Sequence, residues 1–386
     1  MNIMYAMGAA LRMAFVMLWD IFWGLSLGFL FSAVIEELVS KDEMSGLLPD
    51  SQPRSIAIAS ALGAASSSCS YAAVAMARSM VRKGADFTAA MAFQFAATNL
   101  VLELSVLLIV LLGWQFGAAE FIGGPIMIVL LVLMFRWLLK PRRLEAAVAQ
   151  AKRNVAGSME GHAEMSMAKH EGSWQERLGS KAGWIAISHG FVVNWAMLWK
   201  DILVGVLVAG ALAAWVPTYF WQSLFLTGHP IAASIWGAFI GPLIAVASFT
   251  CSVGNIPFAS VLWQGGISFG GVIAFIFGDL IIPPILNIYR KYYGGKMTVF
   301  LATTFYLAMV GAALIVEGLF ALFHQIKQGT RHGFADQSIS FNYTTVLNVL
   351  FAVLALALAI TFTRTGGPAM MKKMASGGPC AHHHHH

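Results

Sequence analysis

Residues 66–93 read SSSCSYAAVAMARSMVRKGADFTAAMAF, and residues 248–275 read SFTCSVGNIPFASVLWQGGISFGGVIAF. Each places one cysteine among hydroxyl-bearing residues inside an apolar run. An offset of 182 carries Cys69-Ser70 onto Cys251-Ser252, Gly84 onto Gly266, Phe87 onto Phe269 and Ala92-Phe93 onto Ala274-Phe275. Six identities in register across 25 positions exceed what apolar composition alone produces. Upstream, AFVMLWD (14–20) resembles WAMLWKD (195–201). The chain reads as two related repeats.

Composition sets the class. Of 386 residues, 58% are hydrophobic and 11% charged, against about 25% charged in soluble domains. Mean hydropathy is +0.73. Several apolar runs reach the roughly 20 residues a bilayer-spanning helix needs. The expectation is an all-α polytopic membrane protein in a bacterial inner membrane, its partners a lipid bilayer and a small-molecule or metalloid substrate. The net charge of +6 fits basic cytoplasmic loops rather than nucleic-acid binding. The first run, about 13–35, is too long for a signal-peptide core and reads as a retained helix. The final His382–His386 run reads as an added tag, and Cys380 beside it is set aside.

Candidate spans are 13–37, 55–80, 86–112, 121–139, 184–215, 231–262, 266–288, 298–323 and 344–363. Two of these exceed one bilayer thickness, so about nine to ten transmembrane helices are expected. The organisation follows as a first repeat (1–140), a polar loop (141–182), a second repeat (183–325), a C-terminal helix and tail (326–375) and the tagged end (376–386). Positive residues fall at opposite ends of equivalent helices. Arg82-Lys83 align with Gln264-Gly265, and Arg290-Lys291 with Leu108-Ile109. Under the positive-inside rule this points to inversion of one repeat. Four crossings between Trp19 and Trp199 point the other way.

The cysteine segments are the leading site candidates. Small polar residues there also allow close helix packing. In the second copy Gly254, Asn255 and Pro257 follow Cys251-Ser252. Proline removes an amide donor, and irregular backbone at membrane depth survives only in protein or a wet cavity. A broken helix is therefore expected at each cysteine. The substrate-binding set is Cys69, Ser70, Cys251, Ser252, Gly254, Asn255 and Asn99. Glu103 and Asp279 lie in apolar sequence, where an acid is a site candidate by default, and both are candidates for proton coupling. Asn99 precedes Glu103 by one turn of a presumed continuous helix, on one face. Asp279 precedes Pro283-Pro284, so capping a new segment is its other reading. Asp20 and Asp201 follow matched tryptophans and read as interfacial anchors. Glu120 and Glu317 read as near helix ends. The stretch MEGHAEMSMAKH (159–170) offers Met159, His162, Met165, Met167 and His170 as soft-metal ligands, or is a linker that happens to hold them.

Enzyme motifs are absent: there is no nucleophile elbow, Walker A loop or zinc-protease helix. No enzyme activity, cofactor or nucleic-acid partner is expected, and the sequence is silent on oligomeric state.

The stretches CSYAAVAMARSMVRKGADFTAAMAFQFAATNLVLE and CSVGNIPFASVLWQGGISFGGVIAFIFGDLIIPPILNIYRKYYGGK resemble the ArsP-like permease family over most of residues 15–325. The resemblance implies two Cys-Ser helix breaks and export of trivalent organoarsenicals. Many members read Cys-Ser-Cys-Gly, whereas this chain has Tyr71 and Val253 at the second cysteine. One thiol per half would bind As(III) only if Cys69 and Cys251 meet, and these two are the metal-ligating candidates. The reading is a permease exporting a small soft metal or metalloid species by proton coupling. Its alternatives are a carrier or channel for a sulfur compound or anion, and a membrane metal sensor or scaffold.

Overall fold

The computed structural model describes residues 3–38, 48, 50–66, 70–152, 180–226, 228–248, 252–326 and 343–375. Cys69, Cys251, Cys380 and the Met/His cluster of 159–170 lie outside them. The described residues are helical, with no strand.

In order come α1 (Ile3–Leu38), α2 (Pro53–Ser66), α3 (Ser70–Arg82), α4 (Phe87–Asn99), α5 (Leu102–Leu112), α6 (Trp114–Leu138) and α7 (Pro141–Ala151). After them come α8 (Lys181–Trp215), α9 (Thr218–Leu224), α10 (Pro230–Ser248), α11 (Ser252–Gly265), α12 (Phe269–Phe277), a 3-10 turn (Gly278–Ile281) and α13 (Pro283–Tyr293). The chain closes with α14 (Gly295–Leu322), α15 (Tyr343–Arg364) and α16 (Gly367–Ala375).

Among the described residues six helices are long and apolar enough to cross a membrane. The pair 269–281 and 283–293, bent by 44°, makes a seventh. Among the described residues that is fewer than the nine to ten expected. Residues 55–80 do not form one span. They form α2 and α3, of 14 and 13 residues, each only about 20 Å long against a hydrocarbon core of about 30 Å.

The reason is a re-entrant hairpin. The Asp86 amide donates to Leu48 O at 2.9 Å, joining the start of α4 to the segment before α2. Gly63, near the end of α2, lies against Phe93, Ala96 and Ala97. α2 therefore runs alongside α4 in the same direction, and α3 returns before α4 sets out again. The second half does the same. Gly237 lies against Ser268, Gly241 against Gly271 and Phe275, and Ala245 against Gly278. α10 enters, α11 returns and α12 follows α10.

The turns at the bases of the two hairpins match. Gly84 and Gly266 have φ of +102° and +107°, a region open to glycine. In each turn the next amide closes a Schellman-type bond, Ala85 N to Met80 O and Ile267 N to Leu262 O. Asp86 and Ser268, 182 residues apart, cap α4 and α12 by accepting from first-turn amides. The cap, not the apolar pattern, sets where each central helix begins.

α4 is buried except at Thr88, and α12 is buried throughout. Helices apolar all round belong inside. The α4–α5 run lies antiparallel to the α12–α13 run. Phe87, at the start of α4, packs edge-on against Tyr293 at the end of α13, centroids 5.2 Å apart. Phe116, just after α5, packs on Phe269 at the start of α12, 4.7 Å apart. Each hairpin thus opens at an opposite end of the bundle.

Candidate functional site

Each central run is interrupted at mid-length. α4 stops at Asn99, Leu100 and Val101 leave the helix, and α5 starts at Leu102. In the second run the 3-10 turn at Gly278–Ile281 ends in extended Ile282, before Pro283-Pro284 opens α13. Proline at a helix start loses nothing, because its missing amide would be unpaired there.

The break beside Asn99 overturns one expectation. Asn99 and Glu103 do not share one continuous helical face, since Asn99 ends α4 and Glu103 sits in the first turn of α5. A second correction concerns the cysteine segments. α11 runs unbroken from Ser252 through Pro257, so its helix begins at Ser252 rather than loosening at Gly254–Pro257. α3 likewise begins at Ser70. Asp279 does not cap α13 either, because Ile282 holds that position without a side-chain bond.

Asp279 is instead where the halves meet. Ser70 Oγ donates to its Oδ2 at 2.5 Å, and Ser252 Oγ donates to the same oxygen at 2.8 Å. All three residues are buried, Ser70 and Asp279 completely. Two hydroxyls, each at the first residue of a returning hairpin arm, converge on one carboxylate from the break of α12. Its second oxygen, Oδ1, has no hydrogen-bond partner among the described residues. No cation among the described residues contacts it. A buried carboxylate with two hydroxyl donors and one open oxygen can accept a further donor or a proton.

Around this centre the polar groups are held by their own helices. Ser248, the last residue of α10, donates to Asn255 Oδ1 at 3.0 Å, tying one hairpin arm to the other. Gly254 packs so close to α8 that a Cβ on Gly205 would sit 2.3 Å from its carbonyl oxygen. Asn99 Nδ2 donates to Thr98 Oγ1 at 2.9 Å and Phe95 O at 3.3 Å, while its buried Oδ1 is open among the described residues. Gln94 Nε2 donates to Tyr289 OH, joining α4 to α13 within the same core.

Glu103 belongs to a different group. It is buried beside α1, where a Cβ on Gly28 would collide with the Glu103 Cβ. Glu120 of α6 acts electrostatically on the same region and accepts from Ser105. Glu317 accepts from Ser234 at 2.9 Å and Ser268 at 3.2 Å, fastening α14 to the base of the second hairpin. Asp20 is half-buried on α1. Among the described residues no three His, Cys, Asp or Glu are grouped to hold a metal, and the two thiols assigned that role lie outside the described set.

Asp279 as a meeting point was not legible in the repeat, because Ala97 holds the equivalent position. The Gln94–Tyr289 and Ser105–Glu120 pairs gave no signal at all. A hydroxyl directly after each cysteine was the available clue, and it drew attention to Ser70 and Ser252 without their partner.

Comparison places these features among known proteins. A family model described as "Predicted permease", ArsP_1, matches residues 6–318. A Mycobacterium tuberculosis protein named "Putative permease Rv2963" is 53% identical over 338 residues, covering 87% of this chain and 83% of that one. No solved structure matches.

Proposed function

The chain belongs to the ArsP_1 family of predicted permeases, and from that premise we propose that it exports a small soft metalloid species, a trivalent organoarsenical, across the bacterial inner membrane. The reading treats the two halves as an inverted duplication. A hairpin is not a crossing, so three crossings separate the starts of α1 and α8 rather than four. The odd number agrees with the charge pattern and with the antiparallel central runs. Duplicated, inverted halves with broken helices at mid-bilayer are a frequent plan for carriers.

One observation carries the proposal: Ser70 and Ser252 donate to the same Asp279 oxygen. Cys69 and Cys251 directly precede those serines in the sequence. Thiolates bind soft metalloids, and Asn99 and Asn255 supply polar contacts. Asp279 and Glu103 are the acids that carry the coupling proton. Ionised, Asp279 accepts from both hairpins. Protonation of the open Oδ1 removes the negative charge and weakens Oδ2 as an acceptor, which loosens its hold on both hydroxyls.

The test is efflux of a trivalent organoarsenical from proteoliposomes. Cys69→Ala and Cys251→Ala are each expected to cut transport at least ten-fold. Asp279→Asn or Glu103→Gln is expected to flatten its pH profile, and the variant that does so identifies the proton carrier. Full transport in both cysteine variants removes the thiol role; an intact pH profile in both acid variants removes the coupling.

A further inference from the structure

At the end of the bundle where α6 stops and α14 starts, α7 lies across α3, α13 and α14. Arg78 Nε donates to Ala151 O, and Gln150 Nε2 to Lys291 O, both at 3.2 Å. Between α7 and the start of α14 opens a cavity of about 510 Å³. Lys140, Arg142, Arg143 and Lys296 line it, and no carboxylate does. Like charges brought together without an acid repel one another, and an anion relieves that repulsion. Arg143 is steadied over the Phe300 ring, 5.3 Å from its centroid.

The start of a helix also faces an anion there. Gly294 and Gly295 put the start of the 28-residue α14 on the cavity wall. Its first-turn amides have no partner within the helix, and the helix dipole is positive at that end. Tyr293 also lines the cavity. It is 2% exposed and its hydroxyl has no hydrogen-bond partner among the described residues.

Beside the cavity the surface is apolar. Trp137 is 79% exposed and Leu138 53%, at the end of α6. Val299, one turn beyond Lys296 on the same face of α14, is 67% exposed. We propose that this cavity binds the phosphate of an acidic membrane lipid. The headgroup sits on the four cations and the α14 amides, and the acyl chains lie over Trp137 and Val299. Basic pockets between membrane helices are suited to such headgroups. The equivalent turn after α5, Gly113-Trp114-Gln115, has no cation. A lipid there pins α7 against α3 and steadies the base of the first hairpin. The inference rests on the membrane fold, not on the transported substrate.

The test uses the full chain in neutral detergent, with lipid retention read by native mass spectrometry and stability by thermal unfolding. Phosphatidylglycerol is expected to stay bound and raise Tm, and phosphatidylcholine is not. Each cation removed weakens binding about five-fold, so Arg143→Gln with Lys296→Gln weakens it about 25-fold. Lys291→Gln, basic and at the same end but outside the cavity, leaves retention unchanged. If millimolar inorganic phosphate alone reproduces the Tm gain and displaces the lipid, the phosphate site stands and its occupant is the free anion. Equal retention of both lipids, or an equal loss in Lys291→Gln, overturns the proposal.

Discussion

Asp279 is fully buried and holds two hydroxyl donors on one oxygen. Hydrogen bonds to charged groups contribute about 1.5–3 kcal/mol each. Ser70→Ala and Ser252→Ala are therefore each expected to lower Tm by several degrees. In an Asp279→Ala background the same serine changes are expected to cost little more, because the acceptor is gone. Thermal unfolding of the single and double variants checks this, and additive losses would show the serines acting elsewhere. The sequence named Ser70, Ser252 and Asp279 separately. It could not pair them, since 209 residues separate Ser70 from Asp279 and the acid has no repeat counterpart.

The hairpins depend on close backbone contact. A Cβ on Gly63 would lie 2.3 Å from Phe93 O, and one on Gly205 would lie 2.3 Å from Gly254 O. Backbone cannot yield as a flexible side chain can, so overpacking here costs about 1–3 kcal/mol. Gly63→Ala and Gly205→Ala are expected to lower Tm and transport together. Gly318→Ala, with nothing within 4 Å of the added carbon, is the comparison and is expected to change neither. If all three behave alike, the close approaches are not what holds the hairpins. At this scale the sequence was read partly right. Glycine turns at 84 and 266 and the proline break after Asp279 were visible as residue types. The hairpins were not, because hydropathy sums across residues 55–80 as though one helix crossed. Only the unpaired length of α2 and α3 shows that the chain turns back. The helix start at Ser252 also escaped, for Gly254 and Pro257 read as breakers although both lie inside α11.

Among the described residues basic side chains concentrate at one end of the bundle. Arg82, Lys83, Lys140, Arg142, Arg143, Arg290, Lys291 and Lys296 gather where the first hairpin opens. The segments 114–121, 216–226 and 265–269 at the other end contain no Lys or Arg. The positive-inside rule then puts the basic end in the cytoplasm. In a background lacking native cysteines, Tyr219→Cys is expected to react with an impermeant maleimide on intact cells. Lys83→Cys is expected to react only after permeabilisation, and reversed labelling would invert the assignment. Composition alone made the membrane class and the helical fold legible. The number of crossings was not legible, because hydropathy scores a hairpin such as 55–80 as a span.

The convergence of both hairpin tips on one carboxylate is tested most directly by cross-linking. With Cys69, Cys251 and Cys380 replaced by alanine, Ser70→Cys and Ser252→Cys are introduced together and treated with a membrane-permeant oxidant. The account predicts a rapid intramolecular disulfide, read as a mass loss of two hydrogens and a linked proteolytic fragment pair. A folded double variant that stays fully reduced, while a control pair across α2 and α4 cross-links, would contradict it.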